Sequence, residues 1–381
     1  MHAILRPYAT AGVVIAGTGL IAATPVSVPS PKPMAPTVID VALTAGGALS
    51  GLADPWQDVI NTASANATTL LNNYFLAPGV AWQQLYANVT GYAQQFLDDP
   101  SSSTLAAINT QIQEHLQAVQ TGYALQGVPD TVIGHITNHT LDGVGLSGHA
   151  FLFNQLPSFL PADIDADQVT PIVNFLASPL SAIIMGSLGP GISPWVAMMN
   201  SINEGDGFNE ILANMWGGFL NGATLNLDFV LPMVNDAGFL PVGMSLDHLE
   251  FAFGGLLTPG SVSIGPYEVL GTGGEVAGSV PAVGGSIFNG IGLEMVGVPL
   301  LNKIAMDGQG IGPIAAWEAW GQIVGALLGS GWDGKGAVVV TPPALGAELP
   351  LIPDALDDGG AGAQATDALA GLQDLLSGVF G

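Results

Sequence analysis

The sequence of 381 residues contains no cysteine. A disulfide framework, a thiol nucleophile and a cysteine-ligated metal site are therefore excluded. Positive charge is nearly as scarce, because four lysines and arginines stand against 30 aspartates and glutamates. Contacts with nucleic-acid phosphates, and binding to an anionic membrane through basic residues, both require lysine and arginine. We therefore expect no nucleic acid among the partners.

Charge of either sign is sparse. Charged residues make up 9% of the sequence, whereas hydrophobic residues make up 49%. Ordinary soluble domains carry about 25% charged residues, and acidic disordered chains are poor in apolar residues. The composition predicts a chain that buries much of its surface in its own core, in a partner or in lipid.

The segment 1–33 has the order of a secretory signal. Arg6 precedes an apolar stretch from Ala9 to Ala23, which at about 15 residues is shorter than the roughly 20 that a membrane-spanning helix needs. Prolines follow from Pro25 onward and would stop a helix there. We expect a cleaved export signal followed by a Pro-rich segment, and an uncleaved anchor is the alternative.

Cleavage would make the chain more acidic still. Arg6 and Lys32 lie in the segment 1–33, so Lys303 and Lys335 would be the remaining cations. All 30 acidic residues lie beyond that segment, and the mature chain would carry a formal charge near −28. An exported chain of this kind without disulfides depends on packing for its stability.

The N-terminal part of the mature chain is predicted to be helical. Residues 34–53 are small and apolar, and we interpret them as a linker. A first helix is predicted to begin at Asp54, a good N-cap residue, with Pro55 in its first turn. A second helix should end near Pro100, and a third should begin after the cluster Ser101–Thr104.

The region 54–127 carries three apolar stripes at helical spacing, typical of amphipathic helices in a hairpin or bundle. We expect these stripes to form core, and contact with lipid or a partner is the alternative. The stripes comprise Val59, Ile60, Ala63, Ala67, Leu70, Leu71 and Tyr74; Trp82, Leu85, Val89, Tyr92 and Phe96; and Leu105, Ile108, Ile112, Leu116 and Val119.

The region 128–340 is interpreted as a Gly/Pro-rich apolar α+β domain. Between Asp167 and Glu204 it contains no charged residue. Pro190 and Pro194 interrupt that stretch, which predicts two short apolar helices around the turn "GPGISP". We expect a buried helical hairpin here, and a membrane-inserted hairpin is the alternative.

A small sheet is predicted next, because apolar residues alternate as in half-buried strands. One strand should carry Leu249, Phe251 and Phe253, and another Leu225, Leu227 and Phe229, while Val262 and Ile264 fit beside either. The stretch "GPIAAWEAWGQIVGALLG" predicts a further apolar helix. Residues 341–362 are interpreted as a linker and 363–381 as a C-terminal amphipathic helix. The fold class expected is α+β, mostly helical.

Three histidines are candidate metal ligands by their spacing. His135 and His139 in "HITNH" are four residues apart, as metal-binding pairs on a helix are, and His149 follows. The glutamate of a zinc-protease motif is replaced by Ile136. We therefore interpret these histidines as surface or helix-capping residues.

Other short motifs also depart from the patterns they approach. Asp163–Asp167 is spaced like the start of a calcium loop, but Gln168 and Asn174 replace the required glycine and glutamate, which favours helix-capping acids. Ser147 in "GLSGH" lacks the final glycine of a nucleophile elbow. The glycines from Gly271 lack dinucleotide-loop spacing and predict a turn. We predict no catalytic, cofactor-binding or metal residues, no cofactor and no enzyme activity; a hydrolase with a scattered triad ranks last.

Several phrases resemble the GjpA-type outer-membrane porin family of mycobacteria and related mycolic-acid-bearing actinobacteria. The specific ones are "SPLSAIIMGSLGP" and "FLNGATLNLD", and the resemblance extends through "RPYATAGVVIAGTGLIAATPV" and "GPIAAWEAWGQIVGALLG" to about Gly331. It implies export to the cell envelope or outer membrane, and a channel-forming activity. It brings no catalytic residues.

Few segments show the alternation of a transmembrane barrel strand, so a pore is expected to need several copies of the chain. Membrane lipid and self-association as a homo-oligomer are the partners expected. Carboxylates along an aqueous path would favour cations. The alternative function is a secreted structural or interaction protein that binds a partner or lipid without forming a pore.

Overall fold

The computed structural model describes residues 50–76, 79–143, 147–160, 165–237, 240–262, 267–270, 276–280, 282–298, 301–330, 338–340 and 349–351. The predicted export signal at 1–33 and the predicted C-terminal helix at 363–381 lie outside these ranges, as does most of both predicted linkers.

Helices dominate the described residues, and a small antiparallel sheet accompanies them, which confirms the α+β, mostly helical class. The helices are α1 (Ser50–Leu76), α2 (Val80–Asp98), α3 (Ser102–Ala124), α4 (Asp130–Thr137), α5 (Gly148–Phe159), α6 (Ala166–Leu176), α7 (Pro179–Glu204), α8 (Phe208–Asn221), α9 (Leu231–Asp236) and α10 (Pro313–Gly325). The strands are β1 (Ala223–Asn226), β2 (Ser245–Phe253), β3 (Tyr267–Leu270), β4 (Val276–Val280), β5 (Ile291–Val298), β6 (Asn302–Met306), β7 (Val338–Val340) and β8 (Leu349–Leu351).

The main sheet has the strand order β1-β2-β5-β6, with every neighbouring pair antiparallel. The pairs β3-β4 and β7-β8 form two separate hairpins. Leu225 pairs with Phe251, as the predicted strands require. Phe229 instead lies in the 3-10 turn Asp228–Val230, because the strand ends at Asn226, whose side-chain oxygen accepts from the Asp228 backbone N–H at 2.8 Å.

Local sequence signals place several helix ends. The Ser101 hydroxyl accepts a hydrogen bond from the Thr104 backbone N–H at 3.2 Å and caps α3, which begins at Ser102, inside the cluster after which it was predicted to begin. The helix α2 ends at Asp98, two residues before Pro100. The helix α1 begins at Ser50, inside the predicted linker, and Pro55 lies within it. Pro55 is the sixth residue of α1 and lies beyond the first turn, so its missing N–H costs α1 one intrahelical hydrogen bond.

Much of the apolar stripes of α2 and α3 is exposed, contrary to the prediction that they form core, although Ile108 is buried. Val89, Phe96, Leu105 and Ile112 are exposed, whereas Gln84 and Asn88 are buried. The Gln84 amide donates to the Asn88 side-chain oxygen at 2.6 Å, and the Asn88 amide donates to the Leu328 carbonyl at 3.0 Å. These bonds pair both amide nitrogens, so α2 buries Gln84 and Asn88 beside Val80 and Ala87, while Val89 and Phe96 stay exposed.

The helix α7 is continuous, whereas the prolines predicted two short helices. Pro190 and Pro194 both lie inside it. Gly186 and Gly189 bring its backbone against Gly312 and Gly254; a Cβ on Gly186 would come within 2.9 Å of the Gly312 carbonyl oxygen. Close tertiary packing along this side of the helix offsets the local cost of the prolines.

The core lies between the sheet, α7 and α10. The helix α10 spans Pro313–Gly325, within the predicted apolar segment, and Trp320 and Ile323 are buried in it. Strands β5 and β6, which were not predicted, contribute Met295 and Ile304 to the same core. Strand β6 forms one edge of the main sheet, and its Lys303 makes an ion pair of 2.6 Å with Glu294.

Candidate functional site

The outward side of α7 is an extended uncharged surface with a row of exposed apolar side chains. Ile184, Leu188, Trp195, Met199 and Ile202 are all exposed there, Trp195 to 60%. Their spacing of three, four or seven residues keeps them within one narrow arc of an α-helix. The stripe is about 27 Å long at 1.5 Å per residue, and the other exposed residues along it are Ser187 and Gly191.

The helix α8 extends this surface. Phe208, Leu212 and Trp216 follow one another at intervals of four residues, and all three are exposed, Phe208 to 77%. We call the eight side chains on α7 and α8 the outer stripes. Together they form a two-helix apolar surface, because α7 and α8 pack side by side along their lengths.

The inward side of α7 is built from small residues. Gly189, Ser193, Ala197 and Ser201 are buried and recur every four residues. A Cβ on Gly218 of α8 would lie 2.7 Å from the Ser193 carbonyl oxygen, so the two backbones approach closely. Small residues inside and large apolar residues outside are typical of helices that face lipid. The sequence contains this four-residue spacing. It was not recognised as one side of a helix because a break was predicted at Pro190.

The turn between α7 and α8 is fixed by a cap and by an asparagine. Gly205 adopts a left-handed conformation with φ 83°, which ends α7. The Asn214 amide donates to the Ser201 hydroxyl at 2.6 Å and to the Asp206 carboxylate at 3.1 Å. These bonds tie α8 to the end of α7 and so fix the position of the α8 stripe relative to the α7 stripe.

Acidic groups lie at the margins of the outer stripes and not within them. From 168 to 203 the chain has no charged side chain, and Glu204 and Asp206 follow at the turn. By length and composition α7 is the single helix, among the described residues, that meets the criteria for crossing a membrane. Soluble core helices can meet the same criteria, but the outer stripe of α7 is not covered by the described part of the chain.

Two of the three histidines are buried, so the expectation of surface or capping histidines is wrong for them. His139 is fully buried, and burial, together with the nearby His135, lowers its pKa to about 3. His149 is also buried, and its Nδ1 contacts the Asp142 carboxylate while its Nε2 donates to the Ile291 carbonyl at 2.5 Å. Among the described residues, no group of three or more His, Asp or Glu side chains is arranged for a metal ion.

The pair Asp142–His149 resembles two members of a hydrolase triad, but its geometry differs. The Nε2 that would accept the serine proton is engaged by the Ile291 carbonyl oxygen. Burial raises the pKa of the Asp142 carboxyl, but the hydrogen bonds and charge of His149 outweigh it and lower that pKa. Ser147 is exposed at the start of α5. The pair therefore joins α5 to the sheet.

The acidic run acts as a helix cap where the structure describes it. The Asp165 carboxylate accepts a hydrogen bond from the Asp167 backbone N–H at 3.0 Å at the start of α6, as the capping interpretation expects. Asp163, Ile264 and the glycines at 271–274 lie outside the described residues.

Comparison of the chain with protein-family models, curated proteins and solved structures finds no match. The resemblance to the GjpA-type porin family therefore stays a prediction. The outer stripes are the feature of the described residues on which a functional proposal rests.

Proposed function

We propose that the chain is an exported cell-envelope protein that contacts a lipid layer through the outer stripes of α7 and α8. The observation that carries this proposal is the row of five exposed apolar side chains along about 27 Å of α7.

Lipid chains fit the outer stripes better than a protein partner does. Stable protein interfaces carry about one hydrogen bond per 100–200 Å². The outer stripes contain only apolar side chains apart from the indole N–H groups of Trp195 and Trp216. Hydrocarbon chains need no hydrogen bonds, and burying each of these half-exposed side chains contributes on the order of 1 kcal/mol.

The proposed contact is lateral, with α7 lying along the lipid surface. The other side of this helix packs against α8, α10 and the sheet, so lipid can surround it on one side only. A helix that inserts one apolar side in this manner behaves as an interfacial element.

The porin-like channel is the form of this function that the family resemblance suggests. A barrel pore needs a closed sheet, whereas the main sheet here has four strands in open order. We therefore propose that several lipid-bound copies surround an aqueous path, which the acidic chain makes cation-preferring. The open sheet also favours the second candidate, an envelope or secreted protein that binds lipid without forming a pore.

Vesicle flotation tests the lipid contact. The full chain should float with zwitterionic phosphatidylcholine vesicles, and high salt should not release it because the contact is apolar. The double variant Leu188→Ser/Trp195→Ser should lower the binding constant of the chain for vesicles at least tenfold, because about 2 kcal/mol of apolar burial is lost.

The control is Val89→Ser/Phe96→Ser, which removes two exposed apolar side chains from α2. This control should float like the parent. Folded parent protein that stays at the bottom of the gradient, or equal losses in both double variants, would contradict the assignment to α7.

A further inference from the structure

Two cavities adjoin at α5, away from the outer stripes. Both are lined by Leu156 and Leu160, so the two cavities are adjacent. The first has a volume of about 240 Å³ and the second about 510 Å³. We call them the apolar cavity and the amide cleft.

The apolar cavity is lined almost entirely by hydrocarbon and thioether groups. Leu152, Met244, Phe288 and Leu293 are among its lining residues. His149 is the one polar side chain in the lining, and both of its ring nitrogens are engaged by Asp142 and Ile291. A space without available hydrogen-bonding groups disfavours water and accepts hydrocarbon.

The amide cleft offers hydrogen-bonding groups without charge. Thr137, Asn138, Asn154, Thr170 and Asn174 contribute polar side chains from α4, α5 and α6, and its other lining residues are apolar or glycine. The amides of Asn154 and Asn174 make no hydrogen bond within the part of the chain that the structure describes. Each amide both donates and accepts, which suits hydroxyl groups.

We propose that these two cavities form one binding site for a neutral amphiphile with a single hydrocarbon chain and a hydroxyl-rich head group. The chain occupies the apolar cavity, and the head group bonds with the amide cleft across Leu156 and Leu160. An anionic head group would meet no lysine or arginine in either lining, and a cationic one would meet no carboxylate. The site goes beyond the proposed function, because it binds one soluble molecule and not a lipid layer.

Titration calorimetry of the full chain with n-octyl glucoside, below its critical micelle concentration, tests this site. Saturable binding of one molecule per chain is expected. The variant Asn154→Leu/Asn174→Leu should weaken it roughly tenfold, because two amide partners are lost. The matched control Asn203→Leu, an exposed position near the end of α7, should bind like the parent.

Octanoate provides the charge comparison, since it has a hydrocarbon chain of similar length and an anionic head group. It should bind at least tenfold more weakly than the glucoside. The variant Met244→Trp, which fills the apolar cavity, should abolish glucoside binding, and circular dichroism checks that each variant is folded.

The outer-stripe variant Leu188→Ser/Trp195→Ser separates this proposal from the lipid contact, because it should bind the glucoside like the parent. Glucoside binding lost in that variant alone would overturn the site. Equal affinity for octanoate, unchanged affinity in Asn154→Leu/Asn174→Leu, or no saturable binding by the folded parent would also overturn it. The outcome of the vesicle flotation experiment does not depend on whether the glucoside binds.

Discussion

Glu318 is the one charged residue of α10, and its carboxylate faces α1. The Asn73 amide of α1 donates a hydrogen bond to it at 3.0 Å, and Asn73 is fully buried. Burial raises the pKa of the Glu318 carboxyl to about 7, and the hydrogen bond from Asn73 opposes this rise. The carboxyl therefore takes up a proton in the folded chain at a pH where an unfolded glutamate is ionised.

This difference makes stability depend on pH in a defined direction. Between the ordinary pKa of 4.5 and about 7 the folded chain binds more protons than the unfolded chain at this group. The contribution of Glu318 to the free energy of unfolding therefore falls as pH rises through that window, by on the order of 2 kcal/mol. Glu318→Gln should remove this fall and stabilise the chain at pH 8, because the glutamine amide stays neutral.

Urea unfolding of the parent and of Glu318→Gln at pH 5 and pH 8 measures the effect. Glu204→Gln is the control, since Glu204 is exposed at the end of α7, and it should leave the pH dependence unchanged. A stability difference between parent and Glu318→Gln that is the same at both pH values would show that the carboxyl is not titrating in this window.

At the scale of elements, the course of α7 depends on where its glycines lie. A Cβ on Gly189 would collide with the backbone carbonyl of Gly254, whereas a Cβ on Gly191, two residues on, would meet nothing within 4 Å. The two glycines have the same helical cost, because each gives the unfolded chain extra conformational freedom. They differ only in the tertiary contact.

Gly189→Ala should therefore destabilise the chain by about 1–3 kcal/mol, since backbone at Gly254 must move to admit the methyl group. Gly191→Ala should stabilise it by about 0.5–1 kcal/mol, the gain expected for alanine in an exposed helical position. Denaturant midpoints of the two variants against the parent give both values. If Gly189→Ala were as stable as Gly191→Ala, the result would contradict the close packing of α7 against the Gly254 backbone.

At the scale of the whole molecule, charge decides the ion selectivity of the proposed channel. Without the segment 1–33 two lysines remain against 30 acids in each copy, so an assembly of copies repeats a large excess of carboxylates over cations. In a planar bilayer, detergent-extracted protein should give stepwise conductance that prefers potassium over chloride. The preference should fall at high salt, as the Debye length shortens from about 10 Å at 0.1 M to about 3 Å at 1 M.

The same preference should fall at low pH as carboxylates are protonated. Anion-selective steps would contradict the charge argument and leave the channel in place. Vesicle-bound, folded protein that gives no steps would contradict the channel and favour the envelope protein that binds lipid without forming a pore. The reversal potential in a potassium chloride gradient measures the selectivity directly.

The sequence by itself determined the features that depend on neighbouring residues. The cap at Ser101 places the start of α3, Asp165 places the start of α6, and the apolar segment after Gly312 predicts α10. Alternating apolar residues identify β2 and part of β1. These signals are local, because a cap or a strand period acts within a few residues of the chain.

Tertiary structure alone decided which side of each helix is buried and whether α7 is broken. The stripes of α2 and α3 were expected to be core but are largely exposed, and on α2 a hydrogen bond from Asn88 to the Leu328 carbonyl, 240 residues away, holds a polar side chain inside instead. The two prolines in α7 predicted a break, but contacts of Gly186 and Gly189 with distant backbone hold it continuous. Such contacts join residues far apart in sequence, and a local pattern carries no information about their partners.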